Sequence, residues 1–439
     1  MSAPMIGLWM MGAMIVCIFI GFPISFTLIF LGLIFGYWGF GQLVFYQLTL
    51  QFNGSMMEQT LAAVPLFVFM GIMMEQANLM ERLFDSVQRL LSRITGSLYL
   101  AVMFVATIFA AATGIVGASV TILGIMAGKS MIRSGYDTKL SSGLIAAGGT
   151  LGILNPPSIM LVVMGPVLEV PVTTLFAAAI VPGLLLALLF TAYAMIRCWI
   201  NPALGPPLKM SDRGASYAEI WKEFFLGLVP PAVLVLSALG SIVFGLATPT
   251  EGAACGAMGS LLLTAAYRKL TWRNFKDALI KTLEISVLIL FLCAASNFFG
   301  AVFARLGTPT MITDVLLALD VHPYVMLFII MAVIFLLGWP LEWVPIVLIV
   351  VPFLVPLVEK LGFDKVWFGI LVAVNLQTAW LSPPVAMSAY FLKGVVPEWE
   401  LGDIYKGMMQ FMALQLLGLV LCIFFPQIVM WLPNYIYGK

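Results

Sequence analysis

Charge is what this chain lacks most. Only 9% of its 439 residues are charged and 62% are hydrophobic, against about 25% charged in an average soluble protein. The first charged side chain is Glu58, and the stretches 94–128 and 140–168 contain none. Each exceeds the roughly 20 residues that cross a bilayer, so a soluble globular domain is excluded. Lysine and arginine (21) nearly balance aspartate and glutamate (20) for a net charge of +1, which leaves no basic patch for nucleic acid. Histidine occurs once, as His322; this excludes a bis-histidine haem and a histidine-rich metal centre. The five cysteines, Cys17, Cys198, Cys255, Cys293 and Cys422, are scattered without CxxC spacing and read as small apolar packing residues, not ligands or disulfides. An intramembrane enzyme would need deep paired aspartates or a nucleophile beside a histidine. Asp137, Asp212, Asp277, Asp314, Asp320, Asp364 and Asp403 all fall in polar segments, so no enzyme is expected. The N-terminus has no basic residues and Met5–Ile20 runs past Pro23 into a second apolar stretch, so no cleavable signal peptide is expected.

What the chain does have is a pair of matched interruptions: Gly148–Ser158 (GGTLGILNPPS) and Asn375–Val385 (NLQTAWLSPPV). Proline inside a helix removes an amide donor and clashes with the preceding turn. In lipid such a break survives only where the freed backbone faces protein or a water-filled cavity. Matched breaks in two halves are the best sequence pointer to a transporter's binding site.

Apolar length predicts ten crossings, near 4–21, 23–41, 60–78, 140–168, 172–196, 224–247, 252–267, 279–303, 365–393 and 407–432. Two further segments, 97–128 and 322–358, are long enough to enter the membrane and turn back. Lys and Arg mark cytoplasmic loops. Arg82, Arg89 and Arg93 precede the first segment, and Lys129, Arg133 and Lys139 follow it. Both flanks are then cytoplasmic and the segment is a re-entrant hairpin with its tip at Thr113–Thr121 (TGIVGASVT); the alternative is one long tilted helix. The second hairpin, with tip Gly338–Pro345, has mixed-charge flanks that suit the external side. The loops 197–222 (Arg197, Lys209, Arg213, Lys222) and 268–281 then lie in the cytoplasm and both termini lie outside.

The breaks correspond at an offset of 227, Pro156 and Pro157 falling on Pro383 and Pro384 and Asn155 on Ser382. Five crossings per half make the second half inverted relative to the first. The fold class expected is an all-α polytopic membrane protein of inverted repeats, each with a re-entrant hairpin and a broken helix. A broken helix exposes carbonyls that suit a hard cation and amides that suit an anion. Thr150, Asn155, Asn375, Thr378 and Ser382 can complete an oxygen shell. Glycine-rich tips approach closely for want of a Cβ. The candidate sodium and substrate residues are therefore Thr113, Gly114, Gly117, Ser119, Thr150, Gly152, Asn155, Gly338, Glu342, Asn375, Gln377, Thr378 and Ser382. Elsewhere, Glu251 after Thr248-Pro249-Thr250 is expected to cap a helix, Lys393 to snorkel, and Leu79–Ile94 to lie as an amphipathic helix in the cytoplasmic interface.

Three strings, GGTLGILNPPSI at 148–159, GLATPTEGAACGA at 245–257 and LGFDKVWFGILVAVNLQTAWLSPPVAMSAYFLKGVVP at 361–397, resemble the large membrane subunit of tripartite ATP-independent periplasmic (TRAP) transporters. The resemblance runs from about residue 60 to the end. It implies a multi-pass protein of the bacterial inner membrane that takes up small organic acids, driven by sodium ions and needing no other cofactor. It also implies a periplasmic substrate-binding protein and a small membrane subunit, here a separate chain because 5–439 leaves no room for it. The elevator fold of the family implies a scaffold of 1–96, 171–304 and 397–439, with 1–96 ending in an interfacial arm, and a mobile domain of 97–170 and 305–396. Sodium would then lie between tip 113–121 and break 150–155, and between tip 338–345 and break 375–382. Two departures stand out: the first tip has fewer serines than many relatives, and Gln377 replaces a common glutamate. With Trp339, Trp343 and Trp380 nearby, the second departure points to a bulkier or partly apolar acid. A self-sufficient sodium–carboxylate symporter of related architecture is the alternative.

Cysteines placed at Arg89 and Arg133 should react with a membrane-impermeant thiol reagent from the same face; labelling from opposite faces would remove the first hairpin.

Overall fold

The computed structural model describes residues 2–114, 116–208, 217–383 and 386–438, leaving aside the side chains of 110–113 and 217. The Thr113 side chain, Lys209, Arg213, and Pro384 and Val385 of the second break thus lie outside the described residues. Every regular element among those residues is helical. The N-terminal part holds α1 (Ala3–Ile20), α2 (Ile24–Phe40), α3 (Leu43–Met57), α4 (Ala63–Gln76) and the arm α5 (Leu79–Leu90). The first hairpin is α6 (Ser97–Thr113) and α7 (Val116–Arg133), followed by the bent pair α8 (Thr138–Leu154) and α9 (Ile159–Leu168) and the long α10 (Val172–Ile200). Then come α11 (Tyr217–Val243), α12 (Pro249–Ala266), α13 (Trp272–Arg305) and α14 (Thr308–Leu317). The second hairpin is α15 (Pro323–Leu337) with α16 (Trp343–Pro345) and α17 (Val351–Lys360), the last two joined by a π turn over Ile346–Val350. The second break lies between α18 (Lys365–Leu376) and α19 (Met387–Val395), and α20 (Leu401–Phe424) and α21 (Gln427–Tyr437) complete the chain.

Among the described residues, seven helices are long and apolar enough to cross a membrane, or eight if the pair α8–α9, bent by 43°, is one span. The count falls below ten because α2 and the helices beside the breaks are shorter than a full span and α12, though 18 residues long, is too weakly apolar; the seven include 343–360, an arm of the second hairpin. The segment 407–432 is not continuous either: Pro426 keeps Phe425 out of helical geometry (φ −122°, ψ 75°) and α21 starts anew. Helix α3, packed on α13, was not anticipated, because Gln47, Gln51 and Asn53 break its apolar run. Exposed Trp9, Phe19, Phe26, Phe30 and Trp38 on α1 and α2 suit a lipid-facing surface.

Both hairpins are present. Gly114, at φ +60°, turns the chain between α6 and α7, which pack on each other and on α8, so the single tilted helix is excluded. The first tip is shorter than expected, however. Gly117 and Ser119 already belong to α7, where small residues admit α19: a Cβ on Gly117 would meet the Phe391 ring at 2.9 Å, and one on Gly128 would meet Val396 at 2.6 Å. In the second hairpin Pro352 has no N–H for the Leu348 carbonyl four residues back, and the π turn sits there. Gly300 of α13 backs onto that carbonyl, its virtual Cβ 3.2 Å away.

The two break helices begin alike. Asp137 accepts from Leu140 N–H at 2.8 Å, and Asp364 accepts from Val366 and Trp367 N–H at 2.7 and 3.0 Å, satisfying donors that a helix start leaves free. Helix α20 packs along α8 at a glycine crossing. A Cβ on Gly407 would stand 2.0 Å from the Lys139 carbonyl oxygen, and one on Gly143 2.5 Å from the Gly407 carbonyl. The arm α5 docks on α11 through a 2.6 Å ion pair of Arg82 with Glu223, with Arg82 also stacked over Tyr267.

Gly407→Val should lower the thermal midpoint of the detergent-purified chain, by the equivalent of about 1–3 kcal/mol of overpacking. Gly402→Ala, where nothing lies within 4 Å of a Cβ, should leave it unchanged. An unaltered midpoint in Gly407→Val would refute the crossing.

Candidate functional site

At the first break, helix α8 runs further than its glycines suggest. Residues 148–154 are helical, so Thr150 and Gly152 lie inside α8, not in the break. Glycine serves packing here: a Cβ on Gly149 would stand 2.3 Å from the Val120 side chain of α7. The Thr150 hydroxyl donates to the Ala147 carbonyl at 2.8 Å. The break itself is Asn155–Ser158. Pro156 and Pro157 lack the amides that would reach the carbonyls of Gly152 and Ile153. Ser158 replaces one of them, its hydroxyl donating to the Ile153 carbonyl while accepting from Leu161 N–H at 3.5 Å as the N-cap of α9. Asn155 is buried, and its Oδ1 lies against Gly183 of α10, where a Cβ would stand 1.8 Å away. The tip residue Gly114 meets this break, its virtual Cβ 3.5 Å from Ile159 and 3.8 Å from the Pro157 carbonyl.

At the second break, α18 tightens into a 3₁₀ turn over Gln377–Trp380. Side chains cap its loosened carbonyls: the Thr378 hydroxyl donates to the Asn375 carbonyl at 2.6 Å, and Ser382 donates to the Thr378 carbonyl at 2.7 Å. Asn375 Nδ2 reaches the Met331 carbonyl of α15 at 2.8 Å, tying break to hairpin. Gly338 is buried against this turn, its virtual Cβ 3.1 Å from Ala379. Glu342 is exposed on the tip. Trp339 stacks edge-on to Phe335 at 5.7 Å, and its indole Nε1 is buried without a partner among the described residues.

The halves interlock. The first hairpin's α7 packs on α19 of the second break, while α17 of the second hairpin packs on α9 of the first. Helix α8 also meets the 3₁₀ turn, and α9 meets α18, so the two breaks lie side by side. At one edge Lys365 pairs with Glu359 at 2.8 Å and Glu169 at 3.6 Å, joining the ends of α9, α17 and α18.

Several other expectations are settled by geometry. Glu251 forms a capping box with Thr248, accepting its N–H at 2.8 Å. Lys393 donates to the Pro397 and Trp399 carbonyls, both at 2.7 Å, and so closes a loop as well as reaching the surface. Sequence reasoning missed Gln410 and Gln415 on α20. Gln410 accepts from the Tyr193 hydroxyl at 2.8 Å, which itself accepts from Arg197 at 2.7 Å, linking α10 to α20. The available signal was an amide inside an apolar run.

No group of three metal-ligating side chains occurs among the described residues. Two interrupted helices meeting between hairpin tips define a polytopic membrane carrier. The comparisons give the particular family. A sequence profile of "Tripartite ATP-independent periplasmic transporter, DctM component" matches residues 11–428. The sialic acid TRAP transporter large permease protein SiaM of Vibrio cholerae is 31% identical, covering 96% of this chain and 97% of its own. The C4-dicarboxylate TRAP transporter large permease protein DctM of Pseudomonas aeruginosa is 30% identical over 86% and 87%. The crystal structure of the Alcanivorax borkumensis YdaH transporter superposes with a TM-score of 0.61 at 17% identity, covering 87% of this chain and 88% of that one; this likeness is one of fold. The chain belongs to the DctM family, the large permease subunits of TRAP transporters. It is therefore a multi-pass inner-membrane permease subunit and not an enzyme.

Proposed function

We propose that this subunit carries a small organic acid into the cell, coupled to sodium and fed by a periplasmic binding protein, through an elevator movement. The observation that supports this best is the junction of two broken helices with two hairpin tips, Gly114 on Pro157 and Gly338 on Ala379. Each junction offers carbonyls loosened by a break beside a glycine tip, which suits sodium, while the free amides of α9 and α19 suit a carboxylate. Asn155, Asn375, Thr378 and Ser382 line the breaks, with Thr150, Gly152, Gly117 and Ser119 one helical turn or so behind. The relatives are named for sialic acid, C4-dicarboxylate and, at 27% identity, 2,3-diketo-L-gulonate; all are organic acids, and this supports the substrate class.

A small membrane subunit is the second partner. The isethionate TRAP permease DctMQ of Oleidesulfovibrio alaskensis is 29% identical, and its match to this chain takes up only 57% of its length; that relative has a further segment, which supports a small membrane subunit as a component of such systems. The mobile body comprises 97–170 and 305–396. The glycine crossing of α20 on α8, and Gly183 of α10 against Asn155, favour moving α10 and α20 with that body instead of leaving them on the scaffold. The arm α5, held on α11 by Arg82, then links fixed and moving parts.

The test is uptake into proteoliposomes holding this chain and its small partner, with sialic acid and succinate among the acids offered. Uptake should need both an inward sodium gradient and the binding protein. Uptake independent of sodium, or undiminished without the binding protein, contradicts the proposal, the latter outcome indicating a self-sufficient symporter. Asn155→Ala and Ser382→Ala should each raise the sodium concentration for half-maximal uptake several-fold; unchanged titrations in both would refute the site.

A further inference from the structure

The C-terminal carbonyls of α18 face the second break, and the last four carbonyls of any α-helix lack partners within it. In a bilayer interior an unpaired carbonyl is costly, so its donor must come from protein or trapped water. The hydroxyls of Thr378 and Ser382 serve Asn375 and Thr378. For Val374 the donor comes from outside the break. Gln415, fully buried on α20, gives its Nε2 to the Val374 carbonyl at 3.1 Å and also to Oε1 of Gln377.

That second bond fixes how Gln377 presents itself. Its carbonyl is engaged by α20, which leaves Nε2 as its free group. The sequence alone suggests that Gln377 offers a carbonyl to an ion; here that carbonyl is already occupied. Three amide atoms around this lock, Asn375 Oδ1, Gln415 Oε1 and Gln377 Nε2, are buried with no hydrogen-bond partner among the described residues. Such groups are uncommon in native interiors and call for a ligand or water. Two are oxygens, and Gln415 supplies one of them.

We infer that Gln415 is a positioning residue for the second break: it holds the α18 terminus so that its carbonyls face the coupling cation, and it keeps the Gln377 carbonyl turned away from that cation. The inference rests on the sodium-coupled reading above. Gln415 acts mainly through Gln377 and the Val374 carbonyl, so its effect should merge with that of Gln377. A residue that merely stabilises the fold would lower protein yield or maximal rate and leave the cation dependence alone.

The experiment is a sodium titration of uptake in the reconstituted system for wild type, Gln415→Met, Gln377→Met and the double variant, with the sodium-to-lithium preference measured alongside. Methionine keeps the length of the side chain and removes its donor. Each single variant should raise the sodium half-saturation about tenfold, as expected for one lost hydrogen bond and its stranded partner, and the double variant should do no worse than either. Gln415→Asn, which keeps the amide but withdraws it by one methylene, should give the same rise and serves if the methionine variant does not fold. An unchanged half-saturation and lithium preference in the Gln415 variants overturns the inference, as do effects that multiply in the double variant. Sodium-independent uptake by wild type would instead remove the sodium reading itself and this inference with it.

Discussion

The structure depends on one constraint: a helix interrupted at membrane depth must have its freed carbonyls satisfied within the protein. A proline pair creates that need at the first break and the passage from α-helix to 3₁₀ turn creates it at the second, and much of the surrounding structure answers it. Ser158 serves the Ile153 carbonyl at the first break, while Thr378, Ser382 and Gln415 serve three carbonyls at the second. The groups left over give the centre of an apolar protein its chemistry. Polar residues are few, and they concentrate where the backbone cannot complete its own bonds.

The same constraint explains the interlocked halves. A break is tolerated when other helices cover it, and each break is covered by elements of both halves of the chain: α7 lies on α19, α17 on α9, and α8 on the 3₁₀ turn after α18. Gly117, Gly124 and Gly128 make the approach of α7 to α19 close, and Gly143 and Gly407 do the same where α20 crosses α8. With little hydrophobic drive between helices in lipid, such small-residue contacts carry the packing. A body knitted in this way resists deformation, and the proposed elevator movement would require that.

Much of this was legible in the sequence, for physical reasons. Proline pairs, charge-free runs and basic flanks are local signals, and they located both breaks and both hairpins, though the first tip only as the broader stretch 113–121. The extent of each break was over-read. Glycines at 148, 149 and 152 resemble loop residues, yet lipid favours keeping the helix, where Gly148 lies against Ala106 and Met103 of α6 and Gly149 against Val120 of α7. Helix α3 stayed hidden because its polar residues resemble a loop, and α21 because Pro426 sits in an unbroken apolar run. The role of Gln415 was out of reach, since its partners Val374 and Gln377 lie some forty residues away in the chain. The packing of α10 and α20 on the first break helix has the same origin: only tertiary structure brings Gly183 to Asn155 and Gly407 to Lys139.

The central claim is that the two breaks, each closed by its own hairpin tip, are the ion sites. The most direct measurement is a pair of cryo-EM maps of the full chain in lipid nanodiscs, one in saturating sodium and one in potassium. The account predicts two densities present only in sodium, one where Gly114 meets Asn155–Pro157 and one where Gly338 meets Gln377–Ser382. Identical maps in the two salts, or a sodium-dependent density away from both breaks, would contradict it.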